Sequence, residues 1–278
     1  MKNISQLISQ ALIEDIGNGD HSGAASVPTN ANGKARLLVK DNGIIAGLDI
    51  AKEVFYQVDS ECRLEFELKD GDKIKPGDIA FKVEGPSQSI LKAERLSLNF
   101  LQRMSGIATY TNYLTELISG LNTRILDTRK TTPNFRVFEK MAVVIGGGIN
   151  HRFGLYDMIM LKDNHIDYAG GIKLAIQKTR KYLEENQLDL KIEVEARNLE
   201  EVKEILAAEK VDRIMLDNFN YSDLRKAVVL IGDYAETEAS GGITEQTIRN
   251  YAECGVDFIS VGALTHQIKS LDLSLKAY

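Results

Sequence analysis

Residues 191–218, KIEVEARNLEEVKEILAAEKVDRIMLDN, contain two short apolar runs on either side of a helical stretch. The runs are Lys191–Ala196 and Asp212–Leu216, and the spacing of apolar residues in Leu199–Glu209 between them is that of a helix. A strand, a helix and a second strand in this order predict a right-handed βαβ unit with parallel strands. The stretch therefore predicts a parallel sheet that is covered by helices.

The same alternation extends on both sides of this stretch. Further apolar runs are Thr123–Thr128, Tyr156–Leu161, Ala235–Ala239 and Asp257–Val261, and further helical segments are Ile172–Asn186, Ser222–Gly232 and Glu245–Cys254. Repeats of this number fit an open or closed α/β barrel, and a doubly wound open sheet is the alternative. We favour the barrel because polar or glycine residues follow nearly every run, and barrel active sites lie at the C-terminal ends of the strands.

The first part of the chain has a different pattern, because residues 1–108 mix helices with alternating strands. Residues 35–40 and 63–68 predict strands, and Leu48–Val58 predicts a helix. A long helix is expected from Ser87 to Met104, with an interruption at Gly106 and a second helix to about residue 118. Residues 17–33 have the composition of a loop. We therefore expect two domains.

The composition restricts the class of protein. The chain has 278 residues, a net charge of -6, 44% hydrophobic residues and two cysteines without a CxxC pair. These values are typical of a globular protein in a reducing cytoplasm, without a disulfide framework or a cysteine-rich zinc site. No apolar run approaches the ~20 residues that span a membrane, and the N-terminus lacks the apolar core of a signal peptide. A nucleic-acid surface is not expected, because the basic bias does not extend beyond one region.

That region is residues 127–165, which hold many cations in an otherwise acidic chain. Its basic and imidazole side chains are Arg129, Lys130, Arg136, Lys140, His151, Arg152, Lys162 and His165. Such a concentration of cations predicts a site for a small polyanion, and arginine is suited to bidentate recognition of carboxylates. His165 is expected to cap the segment that follows it.

Carboxylates and glycines follow the later strands. Glu195 and Asp217 end two consecutive runs, and Glu193 shares a face with Glu195 by the period-two rule. These carboxylates could hold Mg²⁺ through waters, or sugar hydroxyls, and the alternative is an ion pair with Lys162 or Arg129. The segments 240–243 (Ser-Gly-Gly-Ile) and 262–263 (Gly-Ala) predict a phosphate site, with ordinary tight turns as the alternative.

Several motifs identify a family. EDIGNGDHSG at 14–23, DTRKTTP at 127–133, GGGINHR at 146–152, LKDNH at 161–165 and EASGGI at 238–243 resemble those of quinolinate phosphoribosyltransferases, in the same order and nearly end to end. The resemblance implies an N-terminal α/β sandwich domain at 1–108 and an open α/β barrel of the type II phosphoribosyltransferase class at 109–266. It also implies that the tail 267–278 returns to the first domain. Two positions depart from the family pattern. Asn134 stands where the family usually has glycine, and Gln267 stands where it often has serine.

The resemblance also implies the site. The implied substrate-binding residues are Arg103, Thr128, Arg129, Lys130, His151, Arg152, Lys162, Glu195, Asp217, Ser240, Gly241, Gly242, Ser260, Gly262 and Ala263. Lys130, Lys162, Glu195 and Asp217 would be catalytic, and the last two would hold Mg²⁺, directly or through water. Arg103 would enter the site of a neighbouring subunit, which implies a homodimer with shared active sites or a larger assembly such as a hexamer.

The implied reaction transfers phosphoribosyl from 5-phosphoribosyl 1-pyrophosphate to quinolinate, with loss of CO₂ and pyrophosphate, and yields nicotinate mononucleotide for NAD biosynthesis. The nearest alternative is a related phosphoribosyltransferase of the same fold with a different acceptor. A Schiff-base aldolase with Lys162 as nucleophile and a non-catalytic ligand sensor are more distant alternatives.

Overall fold

The computed structural model describes residues 4–278, which divide into two compact units. The first unit comprises the residues up to Asn112, Thr131–Gly147 and Ala263–Tyr278. The second unit comprises Tyr113–Lys130 and Gly148–Gly262. This division differs from the predicted boundary at residue 108 mainly because residues 131–147 belong to the first unit.

The elements are numbered along the chain. The helices are α1 (Ile4–Ile16), α2 (His21–Ser26), α3 (Leu48–Val58), α4 (Ser87–Leu117), α5 (Arg136–Ile145), α6 (Asp163–Ala169), α7 (Ile172–Glu185), α8 (Leu199–Leu206), α9 (Tyr221–Ile231), α10 (Ile248–Ala252) and α11 (Ala263–His266). The strands are β1 (Asn32–Val39), β2 (Gly43–Ile44), β3 (Arg63–Phe66), β4 (Lys73–Ile74), β5 (Ile79–Pro86), β6 (Arg124–Leu126), β7 (Ile159–Leu161), β8 (Ile192–Ala196), β9 (Arg213–Asp217), β10 (Glu236–Ser240), β11 (Phe258–Ser260) and β12 (Leu273–Ala277).

The first unit is built on a four-stranded antiparallel sheet with the order β12-β1-β5-β3. Alternate residues of β1, among them Leu37 and Val39, are buried, so one face of the sheet contributes to the core as the period-two pattern predicts. The tail strand β12 lies at the edge beside β1, with Leu37 opposite Leu275. The C-terminal residues therefore complete the sheet that the N-terminal residues begin.

The long helix α4 is continuous from Ser87 to Leu117, so the prediction of a break at Gly106 is wrong. A Cβ at residue 106 would overlap the backbone carbonyl of Lys269 and the side chain of Ile268. Glycine stands here because the tail passes close to the helix, and the packing outweighs a helix propensity cost of about 1 kcal/mol.

The predicted loop at residues 17–33 contains a short helix, α2, and that part of the prediction is also wrong. Asp20 is the N-cap of this helix, and its side-chain oxygen Oδ1 accepts a hydrogen bond from the backbone N–H of Gly23 at 3.0 Å. Such a cap satisfies a backbone donor at the helix start and stabilises by about 1 kcal/mol. A well-placed cap can therefore order a polar segment that lacks apolar periodicity.

The second unit contains six parallel strands with the order β6-β11-β10-β9-β8-β7. Strands β7 to β11 follow one another in chain order, and the first strand of the unit, β6, pairs with the last, β11. In a doubly wound sheet the order instead reverses at a central strand. The unit is therefore an open α/β barrel, as predicted, with the gap between β6 and β7. Ile149 lies at this gap and forms a parallel bridge with Leu126.

The strand β8 is buried along its whole length, including both of its glutamates. Its alternate residues Glu193 and Glu195 lie on one side, with Glu193 opposite Arg213 of β9. The carboxyl ends of parallel strands share one edge of the sheet, so the residues that end β8, β9 and β10 lie on the same rim.

Among the described residues, no helix is long and apolar enough to cross a membrane.

Candidate active site

The acidic part of the rim is formed by the ends of β8 and β9. Glu195 is 7% exposed, and its Oε2 atom lies 3.4 Å from Nζ of Lys162, which follows β7. Burial raises the pKa of Glu195, the Lys162 ammonium opposes this, and the charge of Asp217 raises it further. Glu195 and Asp217 therefore lie close enough to repel each other. The ion pair with Lys162, which the sequence left as an alternative, is present.

The loop after β10 packs against the end of β9. Asn218 has a φ of 57°, and its backbone N–H donates to the carbonyl of Ser240 at 2.8 Å. Its side-chain amide donates to Asp217 Oδ2 at 2.6 Å, which fixes that carboxylate. Gly241 has a φ of 100°, and a Cβ there would overlap the Asn218 side chain. This glycine is therefore required both by its conformation and by the close approach of Asn218.

The cationic part of the rim follows β6 and the Ile149 bridge. Arg129 and Lys130 are exposed, and Thr128 Oγ1 accepts a hydrogen bond from the Lys130 backbone N–H at 3.0 Å. Arg152 is half-buried, and its Nη1 atom donates to the carbonyl of Met158 at 3.3 Å. Burial lowers the pKa of Arg152, and the charge of Arg129 lowers it further. Two guanidinium groups are therefore held near each other, as a doubly anionic ligand requires.

His151 is buried, and both of its ring nitrogens have contacts inside the barrel. Its backbone N–H donates to Asp127 Oδ1 at 2.8 Å, and its Nδ1 atom accepts from the Arg152 backbone N–H at 2.6 Å. Nε2 lies 2.9 Å from Glu193 Oε2 and 3.4 Å from Glu238 Oε2. The imidazole, which was predicted to line the substrate subsite, therefore points toward carboxylates of the barrel interior.

The interior carboxylates change the titration of this cluster. Burial lowers the pKa of His151, but hydrogen bonds and charges from Glu193 and Glu238 outweigh burial and raise it to about 9. Burial and the charge of Glu238 raise the pKa of Glu193 to about 7. Nδ1 can accept the Arg152 backbone N–H only while the ring is neutral, so the raised pKa of His151 and this hydrogen bond oppose each other.

Glu238 has a second cation behind it. Arg213 Nη1 lies 3.1 Å from Glu238 Oε2, and its Nη2 lies 3.0 Å from Glu236 Oε2. Its guanidinium carbon lies 4.1 Å from the centroid of the Phe258 ring, a cation–π contact. Glu238 and Arg213 were not among the site residues predicted from the sequence. Each is a charged residue inside an otherwise apolar strand, and such residues are rarely buried unless they are paired. This pattern could have identified both.

The remaining predicted phosphate residues lie after β10 and β11. Ser240 is half-buried at the end of β10, and Gly242 is exposed with a φ of 59°. Ser260 is buried at the end of β11, and its side chain hydrogen-bonds to Glu238. Gly262 follows β11 and is half-buried. The hydroxyl of Ser260 therefore serves the barrel interior, whereas residues 240–242 lie at the rim.

The first unit contains Arg103 and Ala263. Arg103 Nη2 and Nε lie 2.8 and 3.2 Å from Oε1 of the buried Glu139. Arg103 also donates to the carbonyls of Thr265 and Ile268. Its side chain is 24% exposed, so the cation is rigidly held with part of its surface accessible. Ala263 begins the short helix α11.

Comparison with known proteins gives consistent matches over the whole chain. Residues 20–105 match the quinolinate phosphoribosyl transferase N-terminal domain family, and residues 107–276 match the corresponding C-terminal domain family. A relative from Nicotiana tabacum, quinolinate phosphoribosyltransferase [decarboxylating] 2b, mitochondrial, is 44% identical over 99% of this chain and 82% of its own length.

Bacterial proteins are similar to the same extent. The probable nicotinate-nucleotide pyrophosphorylase [carboxylating] of Bacillus subtilis (strain 168) is 41% identical over 98% of this chain and 92% of its own length. The crystal structure of NadC from Streptococcus pyogenes superposes with a TM-score of 0.93 at 41% identity, and the match covers 98% of this chain and 95% of that one.

Proposed function

The chain belongs to the quinolinate phosphoribosyltransferase family, and we propose that the rim of its barrel is the active site. The enzyme transfers phosphoribosyl from 5-phosphoribosyl 1-pyrophosphate to quinolinate and releases pyrophosphate and CO₂. The main support for this active site is that a cationic and an acidic group of side chains both lie at the rim of the barrel. The guanidinium groups of Arg129 and Arg152 lie near each other, and the carboxylates of Glu195 and Asp217 lie together beside Lys162.

The cationic set is suited to the acceptor. Quinolinate has two adjacent carboxylates, and Arg129 and Arg152 are the groups that we propose to bind them. Each charge-assisted contact contributes on the order of 1.5–3 kcal/mol. Binding both carboxylates fixes the pyridine ring, so that its nitrogen can face C1 of the ribose. Lys130 and Thr128, which share the same loop, complete this side of the site.

The acidic set is suited to the donor. The bond between C1 and pyrophosphate breaks as the ring nitrogen attacks, and positive charge develops on the sugar. Preorganised carboxylates at that position stabilise such charge, which is the role that we assign to Glu195 and Asp217. Lys162, beside Glu195, would balance negative charge on the departing pyrophosphate. The electrons of the C–CO₂ bond then stay on the ring carbon, where the pyridinium charge stabilises them, the adjacent carboxylate leaves as CO₂, and that carbon takes a proton from solvent.

We propose that Glu195 and Asp217 also hold Mg²⁺, through water. The two carboxylates suit a cation because each repels the other. Burial raises the pKa of Glu195, and the charge of Asp217 raises it further. Oxygen ligands of this kind are those that Mg²⁺ prefers, together with waters and substrate phosphates. When it is bound, the ion would neutralise charge on pyrophosphate. The loop 240–242, together with Gly262, is our candidate for the 5-phosphate site.

We propose that the active form is a homodimer in which Arg103 completes the partner's site. The support is a rigid cation, held by the buried Glu139, that keeps 24% of its side chain exposed. Mixing Arg103→Ala with Lys130→Ala subunits should restore activity, because one of the two sites in a mixed dimer then has both cations. A mixture that stays inactive although mixed dimers form would contradict this role.

We also propose a cytoplasmic location, since Cys62 and Cys254 are free.

Acceptor choice tests the proposed function most simply. We expect the purified enzyme to form nicotinate mononucleotide from quinolinate and 5-phosphoribosyl 1-pyrophosphate, as followed by mass spectrometry. Nicotinic acid lacks the second carboxylate and should react at a far lower kcat/KM. A preference for nicotinic acid would instead indicate the related transferase with a different acceptor.

A further inference from the structure

The barrel interior contains a group of charged side chains that do not reach the rim. His151, Glu193, Glu238 and Arg213 are all buried, and their exposed fractions lie between 0% and 8%. Burying charges costs several kcal/mol per ion, and well-packed apolar residues of similar size are often as stabilising. Core stability alone therefore does not account for this group.

The histidine ring connects the interior to the rim. On one side, Nε2 faces Glu193 at 2.9 Å and Glu238 at 3.4 Å. On the other side, Nδ1 accepts the backbone N–H of Arg152 at 2.6 Å. A planar ring that lies against carboxylates on one side passes a change of its orientation to the peptide on its other side. The position of the Arg152 backbone therefore depends on where the two carboxylates hold the ring.

Contacts inside the barrel fix the carboxylates of Glu193 and Glu238. Glu238 lies against Arg213 at 3.1 Å and accepts a hydrogen bond from Ser260. Glu193 is completely buried on β8, directly opposite Arg213 in the strand pairing. Both carboxyl groups therefore lie on buried strands with a cation nearby, and neither can turn toward solvent.

We propose that Glu193 and Glu238 are positioning residues for acceptor recognition, which hold the His151 ring and through it the Arg152 backbone. This inference rests on the proposed function, in which Arg152 binds a carboxylate of the acceptor. The carboxylates act on the acceptor only through Arg152, so loss of the contact should weaken quinolinate binding and leave binding of 5-phosphoribosyl 1-pyrophosphate unchanged.

A metal ion is the competing explanation for this cluster. One ligand atom from each of His151, Glu193 and Glu238 lies within 4.8 Å of the others. A metal ion would have to compete with Arg213, which already lies 3.1 Å from Glu238. Elemental analysis of the purified enzyme separates the two explanations. A stoichiometric metal that disappears in Glu193→Leu would overturn the positioning role.

The main experiment measures quinolinate affinity by calorimetry in Glu193→Leu, which removes the contact at similar volume. We expect Kd to rise by about tenfold or more, equivalent to about 1.4 kcal/mol, with little change for 5-phosphoribosyl 1-pyrophosphate. Glu193→Gln keeps an acceptor oxygen and should restore most of the affinity. Glu253→Leu, which removes an exposed ion pair with Arg249, is the matched control and should bind quinolinate normally.

A double-mutant cycle shows whether the effect passes through Arg152. In an Arg152→Lys background, Glu193→Leu should cause little further loss of quinolinate affinity, because interacting residues are not additive. Additive losses would mean a general structural effect and would overturn the inference. If Glu193→Leu does not fold, Glu238→Leu gives the same cycle. Equal quinolinate affinity in wild type and variant overturns the positioning role alone, whereas a wild type that does not bind quinolinate overturns the proposed function as well.

Discussion

Nζ of Lys162 and Oε2 of Glu195 lie 3.4 Å apart at the ends of neighbouring strands, with the lysine half exposed and the glutamate nearly buried. The length and exposure of this ion pair are those of a contact that contributes little to stability, about 0–1 kcal/mol. Because this ion pair lies on the rim, we expect a bound phosphate to attract the Lys162 ammonium away from Glu195.

Lys162→Met should therefore reduce activity far more than stability. We expect kcat to fall by about 100-fold or more, a typical loss when one transition-state charge contact is removed, while the midpoint of thermal unfolding changes little. Lys226→Met, which removes an exposed ion pair with Asp223 on α9, should leave both quantities unchanged. Steady-state kinetics and calorimetry on the two variants test this, and a large loss of stability in Lys162→Met would contradict it.

Gly241→Ala should impair donor binding. Its φ of 100° costs an L-residue about 1–2 kcal/mol, and the new methyl group would also displace Asn218, which holds Asp217. We expect KM for 5-phosphoribosyl 1-pyrophosphate to rise clearly. Gly77→Ala is the matched control, because its φ is 97° and a Cβ there meets nothing within 4 Å. The control should lose similar backbone stability and keep normal kinetics.

Arg129→Ala and Arg152→Ala should each lose quinolinate affinity while they remain folded. A loss of about 1.5–3 kcal/mol corresponds to a Kd that rises by about 10- to 150-fold. Arg225→Ala on α9 is an arginine outside the site and serves as the control. Calorimetric titration with quinolinate gives the result, and normal affinity in either site variant would remove that arginine from the acceptor subsite.

Stability should decrease as the pH rises, because of the His151 cluster. The pKa of His151 is raised from 6.5 to about 9, and that of Glu193 from 4.5 to about 7. The folded chain therefore keeps protons that the unfolded chain has already released. The resulting stabilisation is complete below the unfolded pKa values and is lost as the pH rises through about 7 and then about 9.

Urea unfolding of the wild type should accordingly show a lower free energy of unfolding at about pH 9 than at about pH 7. In His151→Gln this decrease should be much smaller, because the histidine contribution is gone. An unchanged pH dependence in the variant would show that another group is responsible.

Much of the fold could be predicted from the sequence, because many of its strands and helices have strong and regular apolar patterns. The predicted helix Leu48–Val58 and strand Lys191–Ala196 agree closely with α3 and β8. The helix α5, in contrast, was not predicted, since Arg136–Ile145 was interpreted only as part of the cationic region 127–165. Long-range packing was also invisible, as the close approach of Lys269 to Gly106 shows.

The site was predictable at the strand ends and not inside the barrel. A carboxylate that ends an apolar run, such as Asp217, stands out in one sequence. The contact of His151 with Glu238 joins residues 87 positions apart (238 − 151), and no local pattern carries it. Asn134, which departs from the usual glycine of the family, has a φ of 61°. Asparagine tolerates this left-handed conformation better than most residues, so the loop can keep its shape.

The release of CO₂ from carboxyl-labelled quinolinate, measured together with pyrophosphate, tests whether this enzyme couples phosphoribosyl transfer to decarboxylation. We expect one CO₂ for each pyrophosphate, only when 5-phosphoribosyl 1-pyrophosphate is present, and we expect Arg152→Ala to lose both products together. Pyrophosphate release without CO₂, or turnover of nicotinic acid in preference to quinolinate, would contradict it.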